Sequence, residues 1–340
     1  MTEPRLELIG APGSPYTRKM RALLRYRRIP FRFVIQSGEV PVPPVPVALI
    51  PILVYRRAPE GEDTAMIDST FQLRRLEREF EGRSVIPPDP AVAFLDRLVE
   101  EYADEWLTKA MFHYRWAHRA DALKAASILP RWRKVDAPEA RVAPFSKMIA
   151  ERQIGRLRVV GSNETTAPVI EESFVRLLGA LDALLTTQPF VLGRRPAACD
   201  FGLYGQLTQL ALFDPTPMQI VVERAPRIHA WVEVVEDLSG LPVDDAGWNA
   251  RDALPDALRG LLLEVGRVHA PFLLGNAAAL EAGAERVECT IAGRPWVQQP
   301  FPYQGKCLGW LREAHAELAP EGRAFVDALL EGTGCEALFR

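Results

Sequence analysis

The chain has 340 residues, 48% of them apolar and 25% charged, with a formal net charge of −3. This is the profile of a soluble globular protein with room for two ordinary domains and a third small one. The near-neutral balance gives no global case for nucleic acid or an anionic membrane, and no run reaches the ~18 apolar residues that span a bilayer. The opening "MTEPRLELIG" lacks the basic start and apolar core of a signal peptide. Cys199, Cys289, Cys307 and Cys335 are scattered, with no paired short spacing. They read as free thiols in a cytoplasmic protein, and a structural zinc site is not expected.

In chain order, residues 5–10 and 31–35 read as short buried strands. Between them Ser14 is placed as a helix N-cap, with Pro15 at the first helical position. Tyr16, Met20, Leu23 and Leu24 then fall on one helical face, which makes a βαβ start. "SPYT" has the shape of a Cys-Pro-Tyr-Cys redox loop in which both thiols are replaced by hydroxyls. The run 41–46 is too rich in proline for an interior helix. "PILVY" (51–55) and "AMI" (65–67) read as the third and fourth strands. Ser69 and Gln72 fit a capping box, with Leu73, Leu76 and Phe80 at helical spacing after it. Residues 81–90 are a turn-rich boundary.

From 91 to 240 the pattern is helical almost throughout, apart from 120–165, where Pro130, Pro138 and Pro144 are expected to break it. Beyond 240 a helix is expected near 255–268, a hairpin in "RVECTIAGRPWVQQPF", and a helix pair across 306–332. The chain therefore divides into 1–84, 91–240 and 241–340, the last packed on the helical part.

This order of parts resembles the cytosolic glutathione transferases: a thioredoxin-like α/β domain, a linker, then an all-helical bundle. "SPYTRKMR" looks like the loop and first helix of their first domain. "ALIPILVY" is similar to their strand entry with a cis-proline, here Pro51. "MIDSTFQLRRLE" resembles the acidic-Ser pair and helix that hold the γ-glutamyl end of glutathione, and "FVLGRRPAACDFGLYGQL" their helical signature, ending at buried Asp200. The helix that usually follows is similar to "RAPRIHAWVEVVED". The likeness covers roughly residues 5–240.

The resemblance implies glutathione as co-substrate, a small hydrophobic electrophile as second substrate, a homodimer, and neither metal nor membrane. A free thiol has a pKa of ~8.5, so an enzyme must favour its ionised form. Ser14 supplies a hydroxyl beside the unpaired amides of a helix N-terminus. Such a charge-assisted bond is worth ~1.5–3 kcal/mol, about one to two pKa units. In this reading Ser14 is the catalytic residue; Tyr16, Thr17, Ile50, Pro51, Asp68 and Ser69 line the glutathione site. The Ile50 backbone would pair with the cysteinyl part, Ser69 with the γ-glutamyl carboxylate and Asp68 with the ammonium. A plain helix cap, a strand-initial proline and a solvated carboxylate explain the same residues without a ligand.

Tyr16, His113 and Tyr114 are the candidates for the electrophile pocket, from the cluster Tyr102, Trp106, Phe112, His113, Tyr114 and Trp116; a stripe like this is more often core. His113 and His118 are five apart and would not share a helix face, so no metal is expected there. Two features depart from the family. The segment 36–51 is proline-rich where a helix is usual, and Ala197 replaces the Ser/Thr partner of Asp200. They leave open a transferase-fold protein that binds or scaffolds without catalysis. A redox protein using one of the cysteines is a third reading, which needs a thiol close to Ser14.

Overall fold

The computed structural model describes residues 5–37, 40–57 and 61–340. The first part is a thioredoxin-like unit: β1 (Leu6–Gly10), α1 (Pro15–Tyr26), β2 (Arg32–Ile35), β3 (Ile52–Tyr55), β4 (Thr64–Met66) and α2 (Ser69–Glu79). The sheet order is β2-β1-β3-β4; β1 and β2 are parallel, and the other pairs antiparallel. Met20, Leu23 and Leu24 of α1 and Leu73 and Leu76 of α2 are fully buried in the main core. On the sheet's second cluster Ile9, Ile52 and Val54 are covered by Val40, Val45 and Ile50. The proline-rich segment thus does with side chains what a helix would otherwise do. Among its described residues none is helix or strand, as missing N–H donors require.

The helical part runs α3 (Pro90–Tyr102), a π turn at Ala103–Leu107, α4 (Thr108–Ala117), α5 (Arg119–Arg133), α6 (Glu139–Ile154), a single turn α7 (Leu157–Val160), α8 (Ala167–Leu185), α9 (Ala198–Leu207), α10 (Pro215–Arg224) and α11 (Pro226–Val235). Pro130 and Pro144 do not break helices as expected: they lie inside α5 and α6. Packing outweighs propensity here. α5 is anchored by the Trp132 ring, 4.9 Å from Phe213, and Arg133 lies over Phe145 of α6.

Asp200 is fully buried and accepts from the amides of Ala197 (2.8 Å) and Val191 (2.9 Å). It caps α9 without a hydroxyl partner. The boundary at 81–90 is not loose: Arg83 donates to the carbonyls of Leu238 and Leu241, and Val85 accepts from Ala198 N. α1 and α9 pack closely because Gly205 carries no side chain; a Cβ there would sit 2.6 Å from the Pro15 carbonyl oxygen.

The last hundred residues form α12 (Ala257–Glu264), a π turn at Val265–His269, α13 (Ala270–Glu281), the hairpin β5 (Val287–Ile291) and β6 (Arg294–Gln298), α14 (Pro302–Ala316) and α15 (Pro320–Leu330). The hairpin turns through Ala292 and Gly293, both with positive φ, which matches the twist of its strands. α12 packs on α8, and α14 and α15 on α3. Phe272 and Trp296 enclose the Trp106 ring, at 5.9 and 5.2 Å. Trp106 is therefore core.

Candidate functional site

The sheet register brings three loops together. Ile9 stands opposite Ile52, and Leu53 opposite Met66. The end of β1, the start of β3 and the end of β4 therefore share one end of the sheet. They carry Ser14, Ile50–Pro51 and Asp68–Ser69 respectively.

Ser14 caps α1 in an extended conformation, and its Oγ accepts from Thr17 N at 3.3 Å. Because that bond uses a lone pair, the hydroxyl proton stays available to a ligand. Thr17 is buried, with Oγ1 facing Ala11 N at 3.4 Å. Tyr16 donates its hydroxyl to the Asp104 carbonyl at 2.7 Å and so stitches the loop to the helical part. Arg115 holds the loop from above. Its Nη1 donates to the Gly13 carbonyl at 2.9 Å, while its Nη2 binds buried Asp214 at 2.9 Å. Gly13 lies against α5: a Cβ there would be 2.3 Å from Leu129 Cδ2 and 2.8 Å from the Trp132 ring. Leu129, Trp132 and Phe213 thus make an apolar patch next to Ser14.

The Ile50–Pro51 bond is cis. Gln72 Nε2 donates to the carbonyls of Pro51 and Met66, both at 2.9 Å, tying α2 to the ends of two strands. The capping box expected at Ser69 and Gln72 is replaced. Asp68 is the cap, with φ 74°, and Ser69 is the first helical residue. Asp68 Oδ1 accepts from Thr70 N at 3.1 Å. Its other oxygen, Oδ2, accepts from the Tyr303 hydroxyl of α14 at 2.5 Å. Ser69 is only 5% exposed. The extension, outside the stretch with family likeness, therefore closes this end of the site.

Behind the loops lies a charged core between the two parts. Lys19 Nζ, fully buried, meets Glu100 Oε1 at 2.8 Å and Asp104 Oδ2 at 2.5 Å. Arg74 takes the other oxygen of Glu100 at 2.9 Å. Burial moves Asp104 up to about 6 against the pull of Lys19. Glu105 is pushed to about 8, chiefly by burial and then by Glu101, while Gln304 Nε2 donates to it at 2.9 Å. Burial pulls nearby Lys109 down to about 7. The folded protein holds a proton on Glu105 that the unfolded chain releases, so stability falls as pH rises from about 4.5 to about 8. Glu105→Gln is expected to flatten that slope by roughly one proton, about 1.4 kcal/mol per pH unit. Denaturant titrations at several pH values check this; an unchanged slope contradicts it.

His113 and Tyr114, the other two pocket candidates, make their contacts on another side of α4. His113 Nδ1 meets Ser162 Oγ at 2.8 Å and Nε2 meets Glu171 at 3.1 Å. Tyr114 is buried against Phe174 of α8, with ring centroids 5.4 Å apart. Their contacts are thus with α8 and the turn before it. The spacing argument about His113 and His118 assumed one continuous helix. Instead α4 ends at Ala117 and His118 is extended, with its ring 5.3 Å from that of His113. Burial pushes up the thiols of Cys199, Cys289, Cys307 and Cys335, and acidic neighbours add to it at Cys199 and Cys307. Raised pKa values keep these thiols protonated and unreactive.

Sequence reasoning missed Lys19, Arg115 and Tyr303. Lys19 stands in a basic run with Arg18, Arg21, Arg25, Arg27 and Arg28, a pattern usual for a solvated face, although it lies one residue before Met20 in a helix packed on two sides. Nothing in the local sequence marks Tyr303, whose role depends on where α14 docks.

Two family models match: the glutathione S-transferase N-terminal domain over residues 8–84 and the C-terminal domain over 148–233. Over these two stretches the chain carries the N- and C-terminal domains of the glutathione S-transferase family. Among solved structures it is similar to a Methylobacterium radiotolerans glutathione S-transferase in complex with glutathione sulfonate: 20% identity, 74% of this chain and 95% of that one, TM-score 0.40. It is also similar to a Tau class enzyme from mango, Mangifera indica, at 17% identity, covering 76% and 96%, TM-score 0.42. A family member from Pseudomonas fluorescens with two glutathione molecules bound shares 14% identity over 69% and 89%, TM-score 0.37. No curated protein matches the sequence. The family assignment rests on the two domain matches.

Proposed function

We propose that the chain binds glutathione across the three loops and activates its thiol for attack on a small hydrophobic electrophile. The observation that carries this is the convergence of Ser14, Ile50–Pro51 and Asp68–Ser69 on one end of the sheet, fixed by the strand register. In this reading Ser14 donates to the thiolate, with the positive end of α1 behind it. The Ile50 backbone takes the cysteinyl part, and Asp68 and Ser69 the γ-glutamyl end; Tyr16 and Thr17 hold the loop in shape. The electrophile lies against Leu129, Trp132 and Phe213, the apolar side chains nearest Gly13. Glutathione-agarose retention together with turnover of chlorodinitrobenzene tests the reading; no retention overturns it.

One observation favours a non-catalytic binding role instead. Asp68 already accepts a hydroxyl from Tyr303, and Ser69 is buried. If glutathione enters, Tyr303 must leave Asp68. Tyr303→Phe then removes a competing charge-assisted bond and is expected to tighten glutathione about tenfold by calorimetry. Equal affinity in both proteins contradicts that competition. Absence of binding in both supports the non-catalytic role. We place the protein in the cytoplasm, where unpaired cysteines such as these four stay reduced.

A further inference from the structure

We propose that His113, His118 and Glu171 form a site for one divalent transition-metal ion of the zinc class. One ring nitrogen of each histidine and a Glu171 carboxylate oxygen lie within 4.8 Å of one another. Glu171 Oε1 is 3.1 Å from His113 Nε2 and 3.3 Å from His118 Nε2. Ligand atoms about 2.1 Å from a tetrahedral ion are separated by about 3.4 Å, so both carboxylate–imidazole separations already fit and only the two imidazoles have to adjust.

The surroundings orient these groups as a metal site needs. Without an ion His113 Nε2 donates to Glu171 at 3.1 Å; an ion there would take that lone pair, with the proton moved to Nδ1, which faces Ser162 Oγ as acceptor at 2.8 Å. The break after Ala117 turns His118 back, and its ring stacks on Tyr114 at 5.2 Å and 18°. Glu172, the next residue of α8, is already engaged by Arg294 at 2.8 Å, which leaves Glu171 to the histidines. The side chains of His118 and Glu171 are 32% and 42% exposed, while His118 Nε2 itself is buried and has no hydrogen-bond partner. Two imidazoles and one carboxylate suit zinc and its neighbours better than calcium or magnesium. Water takes the fourth position. A bound ion would clamp the end of α4 to α8, and with it the corner from which α5 reaches Gly13.

The competing account is a carboxylate bridging two histidines as an ion pair, with no metal. Zinc titration of the metal-stripped full chain by calorimetry separates the two. His118→Asn and Glu171→Gln are the variants of choice because both side chains are partly exposed, and circular dichroism checks that each folds. The expected result is one zinc per chain, weakened at least about 100-fold in each variant, since even a supporting group is worth 10- to 100-fold. Cobalt should give the visible absorption of a tetrahedral site in the wild type alone. No saturable binding, or binding that both variants retain, overturns the proposal.

Discussion

Replacing Ser14 with alanine is expected to lower turnover of chlorodinitrobenzene by about 10- to 100-fold, with glutathione still retained on the resin. The size follows from one hydrogen bond to a charged acceptor, ~1.5–3 kcal/mol, at roughly tenfold per 1.4 kcal/mol. In the proposed binding mode the hydroxyl would touch only the sulfur, while Ile50, Asp68 and Ser69 would hold the rest of the peptide, so retention is expected. The loss shrinks as pH approaches the free thiol's pKa of ~8.5, where solvent ionises the thiol unaided. Ser14→Ala also removes the cap that accepts from Thr17 N, so its stability must be read beside its activity; a lost cap costs ~1 kcal/mol. A variant that keeps full turnover at neutral pH contradicts the role given to Ser14.

Lys19→Met is expected to destabilise the chain by about 3–5 kcal/mol at neutral pH, read from denaturant unfolding. The ammonium is the shared partner of Glu100 and Asp104 in a site closed to water. Without it two carboxylates stay buried; Arg74 still reaches one of them. Adding Glu100→Gln and Asp104→Asn to the same protein should recover much of the loss, because neutral groups need no counter-charge. Lowering the pH should help the single variant for the same reason. Asp104 already sits at about 6, and losing Lys19 raises it further, so the carboxyl takes up a proton below neutrality and the cost falls. A single variant as stable as the wild type would mean the lysine does not join the two parts.

The α/β unit was legible because its signals are local. Ser14-Pro15 marks a helix start, alternating short apolar runs mark strands, and the strand order follows from few options. The proline run announced its own lack of helix. The α5–α6 region was not legible, since Pro130 and Pro144 argue against helix one residue at a time and packing against Gly13 and Phe213 overrules them. The aromatic stripe, more often core by its pattern, is core at Trp106 and Tyr114. A helix face shows that residues are buried but not against what, and here the hairpin and α13 cover Trp106 while α8 covers Tyr114. His118 shows how a periodicity argument fails when the helix stops. The closing of the γ-glutamyl end by Tyr303 lies 235 residues from Asp68 along the chain, and no local pattern carries such a contact.

The most direct measurement is the ultraviolet titration of the thiol of bound glutathione in wild type and Ser14→Ala. Wild type should ionise the bound thiol about one to two pH units below free glutathione, and Ser14→Ala should return it close to the free value. A bound thiol that titrates alike in both proteins, or as it does in free solution, would contradict the account.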